Sequence, residues 1–152
     1  MSDKPQLQRD ADGRVSVTID LHIYMEDTDA GGIVYYVNYL KFMERARTDM
    51  FRALGVDRPA VFSEELMFVV HDIQAKYHRA AELGDQIQVS ATIEKLGKAS
   101  VYFAQQVNKI EPSAELGELL CESRIKIACV TRDTRKPVPM PADLFALISA
   151  EN

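Results

Sequence analysis

The stretch Asp27-Thr28-Asp29-Ala30-Gly31-Gly32-Ile33-Val34-Tyr35-Tyr36-Val37-Asn38-Tyr39 runs two carboxylates and a pair of glycines directly into a helical pattern. Upstream of it, Val15, Val17, Ile19, Leu21 and Ile23 alternate with Ser16, Thr18, Asp20 and His22, the period of a half-buried strand. Downstream, Tyr36, Leu40, Met43, Ala46, Met50 and Leu54 recur every three or four residues, the period of a helix with one apolar face. Asn38 is a suitable N-cap and Gly55 a suitable C′ residue, so a helix is expected over residues 38 to 54. A strand therefore gives way to a helix across a glycine turn.

A helix this apolar needs a sheet to pack on, and four further strand-like runs supply one. Val69 to His78 carries Val69, Ile73, Ala75 and Tyr77 on one face; after the Gly84-Asp85 turn, Ile87, Val89, Ala91 and Ile93 alternate in the same way. Gly97-Lys98 turns the chain into Val101, Phe103 and Val107, and a last long run presents Leu119, Cys121, Ile125, Ile127 and Cys129. Tight turns imply antiparallel neighbours, because a parallel return needs a longer crossover. One strand, one long helix and four strands is an α+β order with the helix on one face of an antiparallel sheet. Pro137, Pro139 and Pro141 close the last strand, and Leu144, Leu147 and Ile148 mark a short terminal helix. Residues 1–13 are polar and turn-rich and read as a flexible N-terminal arm, leaving 14–152 as a single domain.

At 152 residues, with 47% hydrophobic and 27% charged residues, the chain is long enough to bury a core without staples. A net charge of −5 disfavours nucleic-acid binding, which needs a basic face against phosphate. No apolar run approaches the ~18 residues of a membrane span, and the N-terminus has no apolar leader core, so a cytoplasmic location is expected. Cys121 and Cys129 sit eight residues apart in one strand-like run. At ~3.3 Å per residue that exceeds disulfide reach, so both are expected as free, buried thiols of a reducing compartment.

Metal chemistry finds no support in the spacing. Counting from Asp27, a calcium loop would need an oxygen ligand at its fifth position and Glu at its twelfth, where Gly31 and Asn38 stand. Three scattered histidines and two cysteines form no zinc pattern, and no Gly-x-Ser-x-Gly elbow is present. His22, His71 and His78 read as structural or solvated strand residues.

The remaining chemistry lies in the opening stretch. A helix N-terminus leaves its first amides unpaired and carries partial positive charge, so it can hold an oxyanion beside which a carboxylate acts. Acyl transfer needs that pairing: a base or nucleophile near a carbonyl carbon and donors aimed at its oxygen. Taken alone, Asp27 and Asp29 read equally as turn residues bonding their own backbone, as Asp does beside Gly.

The segment from Asp27 to Arg47 resembles the 4-hydroxybenzoyl-CoA thioesterase family of hotdog-fold acyl-CoA thioesterases, which includes a Tol-Pal-associated branch. The likeness continues more loosely through Val69-Val70, Tyr77, Gly84-Asp85 and Pro137 to Pro139. The resemblance implies a hotdog fold, a curved antiparallel sheet wrapped around a long central helix, and hydrolysis of an acyl-CoA thioester without metal or redox cofactor. It places the catalytic carboxylate on Asp29 and the oxyanion donor on the amide of Tyr36, with Asp27 as loop support. Tol-Pal-associated members usually carry His where this chain has Tyr36; Tyr36 followed by Asn38 is closer to the aromatic-substrate members and points to aromatic or bulky acyl groups. A hotdog dehydratase would need a catalytic His in its loop motif, which is absent here.

Substrate contacts are expected from Gly32, Ile33, Val34, Tyr35 and Tyr39, with Phe42 either beside them or in the core, and from Lys98, Ser100 and Arg132 towards the coenzyme A arm. Arg135 and Lys136 are further basic candidates for its phosphates. The family resemblance also implies a homodimer with sites between protomers, or a tetramer made of two dimers. Two other readings stand beside this one. A non-catalytic hotdog module would bind acyl groups or acyl carrier protein, and an enzyme acting on acyl carrier protein thioesters would share the chemistry.

Overall fold

Apolar alternation places one face of the central strands against a single helix. The computed structural model describes residues 5–56 and 65–149. Strands β1 (Gln6–Arg9) and β2 (Val15–His22) form a hairpin, and helix α1 (Asn38–Ala53) follows. Strands β3 (Leu66–Tyr77), β4 (Gln86–Leu96), β5 (Ser100–Ile110) and β6 (Leu116–Thr131) come next, and helix α2 (Ala142–Ser149) closes the chain. The strands make one sheet in the order β1-β2-β4-β5-β6-β3, and every neighbour is antiparallel.

The register lines up the apolar positions. Ile19 faces Val89, Val89 faces Val107, Phe103 faces Ile125 and Ile125 faces Ile73. On this inner face lie Phe42, Met43, Ala46 and Met50 of α1, all essentially buried. Burying each large apolar side chain stabilises the fold by about 1.5–3 kcal/mol. Register shifts at Val70/Asp72, Ile93/Lys95 and Val107/Asn108 bend the strands around the helix.

The helix ends as its sequence implies. Gly55 adopts φ +101, its amide reaches the Arg52 carbonyl at 3.0 Å, and the Val56 amide reaches that of Phe51 at 2.9 Å. That is a Schellman closure, which needs a residue tolerant of left-handed backbone at C′. The N-terminus differs from expectation. Val37 occupies the N-cap without a side-chain cap bond, and Asn38 is the first helical residue, its side chain drawn away to the carbonyl of Asp27 at 2.8 Å. The buried stripe is correspondingly shifted: Tyr36 precedes the helix and is 58% exposed, while Tyr39 and Phe42 take the inward positions.

The expected N-terminal arm, residues 1–13, is also corrected. Gln6–Arg9 pairs with β2 through the Asp10–Gly13 turn, and the Arg9 guanidinium bonds the carbonyls of Leu147 and Ile148 at 2.7 and 3.1 Å, tying β1 to α2. Residues 1–4, and 57–64 and 150–152 of the expected domain, lie outside the described residues. Cys121 and Cys129 are free and buried in β6, as their spacing implies. Among the described residues no helix is long and apolar enough to cross a membrane.

Helix α1 lies over β2, β4 and β5. Among the described strands, β3 lies at the edge beside β6 and keeps apolar surface in solvent, with Val70 49%, Ile73 39% and Tyr77 45% exposed.

Candidate active site

At the end of β2 the chain is pinned by Ile23, whose amide donates to Asp85 at 2.8 Å while its carbonyl accepts from Gly84 at 3.0 Å. A short 3-10 turn over Met25–Asp27 follows. Asp27 then acts as a strut. Its Oδ2 accepts the Tyr24 amide at 2.9 Å, and its carbonyl accepts both the Tyr35 amide at 3.0 Å and the Asn38 side chain at 2.8 Å. The entrance of α1 is thereby tied to the loop before it.

Asp29 stands on the exposed side of that frame. Its amide donates to the Ile33 carbonyl at 2.9 Å, its carbonyl accepts from Gly32 at 3.1 Å, and its Oδ1 accepts from Gly31 at 2.8 Å. Oδ2 takes no hydrogen bond from any described residue, and Asp29 as a whole is exposed. Gly32 turns the loop at φ +82, a conformation that side chains rarely adopt. At Gly31 the crowding is of a different kind, because a Cβ there would stand 3.3 Å from Asp29 Oδ1 and press on the carboxylate.

The residues between β3 and β4 brace the loop from behind. The Val34 amide donates to Ala81 at 2.9 Å, the Leu83 amide to Gly32 at 3.2 Å, and the Ala81 amide to the hydroxyl of Tyr39 at 2.9 Å. Tyr39 and Val34, expected from the sequence among the substrate contacts, are buried at 2% and 3% exposure and support the loop from inside. Burial holds the Tyr39 hydroxyl above the ordinary tyrosine range, outweighing the bond from Ala81. Tyr77, also raised by burial, closes the group: Tyr36 meets it edge-on at 5.9 Å and Tyr39 at 5.7 Å, while Tyr35 lies 5.1 Å from Tyr36.

At the helix entrance the Tyr35 and Asn38 amides are bonded to Asp27 and Tyr35, whereas the Tyr36 and Val37 amides donate to no described acceptor. An available carboxylate oxygen and two available amides thus belong to one short loop at a helix N-terminus. Ile33 and Tyr35 are exposed beside them.

Lys98, Ser100 and Arg132 are elsewhere. Lys98 and Ser100 flank the β4–β5 turn and Arg132 follows β6, at the end of the sheet where β3 begins, whereas Asp29 lies at the end where β4 begins. The eleven residues of β4 separate the two ends by roughly 33 Å at ~3.3 Å per residue. One copy of the chain does not bring them together. Arg135 and Lys136 follow Arg132 at that far end. No group of three metal-ligating side chains occurs among the described residues.

Residues 23–148 match the family model described as the thioesterase-like superfamily. The chain belongs to the thioesterase-like superfamily. This thioesterase-like chain is 33% identical over 126 residues to the acyl-CoA thioester hydrolase YbgC of Escherichia coli O6:H1, covering 83% of this chain and 90% of that one. It is 35% identical to the acyl-CoA thioesterase YbgC of Haemophilus influenzae, covering 83% and 89%. Its fold overlays that of 4-hydroxybenzoyl-CoA thioesterase from Pseudomonas with a TM-score of 0.77 at 21% identity, covering 87% of this chain and 98% of the other. The six-stranded antiparallel sheet and its helix are therefore the hotdog fold of thioesterases.

Sequence reasoning missed two supports of the site. Asn38 carried the signal of a cap residue and is instead a tether to Asp27. Ala81 acts through its backbone alone, so its side chain gives no signal.

Proposed function

We propose that this chain is an acyl-CoA thioester hydrolase that uses Asp29 with the amides at the entrance of α1. The single observation that carries it is the unengaged Oδ2 of Asp29 on the same short loop as the unengaged Tyr36 and Val37 N–H groups. A thioester carbonyl placed with its oxygen on the Tyr36 amide presents its carbon to the carboxylate side. As charge develops on that oxygen, the fixed amide and the positive helix end stabilise it without reorganisation.

Two routes use the same carboxylate. Asp29 can take a proton from a water that adds to the carbonyl carbon, or add to that carbon itself and release the acid to water in a second step. In both, the C–S bond breaks, the thiol of coenzyme A leaves with a proton and the acid is freed. Neither route needs a metal or redox cofactor, since water is the only co-reactant. The exposed faces of Tyr35 and Tyr36 beside Tyr77 support an aromatic or bulky acyl group.

The functional unit is a dimer at least. Antiparallel pairing of two β3 edges would cover Ile73 and Tyr77 and set the Lys98, Ser100 and Arg132 end of one copy against the Asp29 end of the other. Those side chains then meet the coenzyme A arm of the partner's substrate. Buried free thiols suit a reducing compartment, the cytoplasm.

Free-thiol release from aromatic, short-chain and long-chain acyl-CoAs tests this reading, comparing the wild type with Asp29→Ala. Turnover of at least one class, lost by about 10²–10⁴-fold in a folded Asp29→Ala protein, is the expected result. No hydrolysis of any acyl-CoA by the wild type would overturn it in favour of an acyl-binding module or an enzyme for acyl carrier protein thioesters.

A further inference from the structure

Asn38 is the first residue of α1 and is 9% exposed, yet its side chain makes no bond within the helix. The amides that a cap would satisfy are already used: Tyr39 donates to the Tyr36 carbonyl at 3.3 Å and Leu40 to that of Val37 at 3.0 Å. Asn38 instead reaches back eleven residues, its Nδ2 donating to the Asp27 carbonyl at 2.8 Å. Because the partner is a carbonyl oxygen, only the NH2 end of the side chain can face it. Oδ1 accepts from no described donor, so this is the single hydrogen bond that the side chain makes to the described residues.

One carbonyl oxygen thereby holds both ends of the helix entrance. It also accepts the Tyr35 amide at 3.0 Å, which uses its second lone pair, and the Asn38 amide closes the turn on the Tyr35 carbonyl at 2.8 Å. Between these two anchored residues stand Tyr36 and Val37, whose amides donate to no described acceptor. The other side of Asp27 leads to the carboxylate. The Thr28 amide and hydroxyl donate to the Met25 carbonyl at 3.1 and 2.8 Å, and the Asp29 amide donates to that of Ile33 at 2.9 Å. Asp29 and the two amides are thus both held relative to Asp27. Without the Asn38 bond the turn hangs on the Tyr35 amide alone, and an amide displaced by about 1 Å costs on the order of 10²-fold in rate.

We propose that Asn38 is a positioning residue for thioester hydrolysis, whose bond to the Asp27 carbonyl keeps the Tyr36 amide turned to the substrate oxygen and sets its distance from Asp29. The inference rests on the thioesterase reading above. Asn38 touches no reacting atom and acts through Asp27 and Tyr36. Its loss is therefore felt where charge develops on the oxygen, in kcat, and little in the binding of the uncharged ground state.

The test compares three variants of the full-length protein. Asn38→Asp keeps the size and removes the donor, Asn38→Ala removes both, and Asn38→Gln keeps a donor on a longer arm. The first two should lower kcat for acyl-CoA hydrolysis about 10–10²-fold with KM changed less than about threefold, and Asn38→Gln should recover part of the loss. Melting should fall by no more than about 4 °C, the shift expected for one hydrogen bond in a chain of this size. A second readout needs no turnover. It uses an acyl-CoA analogue with CH2 in place of the thioester sulfur and carbon-13 at the carbonyl. A hydrogen bond to the carbonyl lowers its infrared stretch, so the bound ketone should absorb at higher frequency in Asn38→Asp and Asn38→Ala than in the wild type, at similar affinity. Unchanged kcat in folded variants, or one carbonyl frequency in all proteins, overturns the proposal. Should one of the two variants not fold, the other decides; failure of both to fold makes Asn38 a residue of the fold alone and overturns it too. Failure of the thioesterase reading would appear as no turnover by the wild type, while the carbonyl frequency would still report on Asn38.

Discussion

The hydroxyl of Tyr39 accepts the Ala81 amide at 2.9 Å, and the Ala81 carbonyl accepts the Val34 amide at 2.9 Å, so a buried helix residue holds the loop that carries Asp29 through one intermediate residue. Tyr39→Phe keeps the ring packed against Phe42 and Tyr77 and removes only the acceptor. The buried Ala81 amide is then unsatisfied, which costs about 1–3 kcal/mol. Denaturant melts should show that loss. Thiol-release kinetics should show kcat falling with KM little changed, because the loop is displaced and the exposed surface around it is kept.

Gly31 and Gly32 are adjacent and fail in different ways when a methyl group is added. At Gly31 the new Cβ would stand 3.3 Å from Asp29 Oδ1, so Gly31→Ala should displace the carboxylate and cut turnover at least about tenfold with little change in melting. Gly32 meets nothing within 4 Å, but its φ of +82 strains any side chain. Gly32→Ala should therefore lower stability by about 1–2 kcal/mol. Parallel melts and rate measurements on the two variants separate position from strain.

Burial pushes the Cys121 thiol from 9.0 to about 11, with Glu122 adding to the shift, and raises Cys129, Tyr39 and Tyr77 in the same direction. Each of these folded-state values lies above its unfolded one, so the unfolded chain releases protons first on the alkaline side. The stabilisation is complete below about pH 9 and is lost as pH rises through about 11. Urea midpoints should fall across that window, and less steeply in Cys121→Ala. At pH 8 neither thiol should react with a disulfide reagent until the chain is unfolded, at which point two equivalents appear.

The strands were legible because their apolar residues repeat every second position, and the end of α1 because Gly55 must take left-handed backbone. β1 was not, since Gln6-Leu7-Gln8-Arg9 offers one apolar residue and owes its pairing to a hairpin with β2. At the start of α1, Asn38 has the chemistry of a cap, and only the position of the Asp27 carbonyl reveals that its side chain is used elsewhere. Asp29 was singled out by the family resemblance of its segment, since beside Gly an Asp reads equally as a turn residue. The remoteness of Lys98, Ser100 and Arg132 was not, because it follows from strand register, which no local motif encodes.

That separation gives the strongest test of shared sites. If each site takes Asp29 from one copy and Lys98 with Arg132 from its partner, then Asp29→Ala and Lys98→Ala/Arg132→Ala proteins should both be poor enzymes alone. The first loses its chemistry and the second its hold on coenzyme A. Unfolded together and refolded as a mixture, half of the dimers pair one variant with the other. In each such hybrid one site carries both defects and the other carries neither, so mixing should restore roughly a quarter of wild-type turnover. Sites completed within one chain would give no gain on mixing, since no hybrid would then contain an intact one.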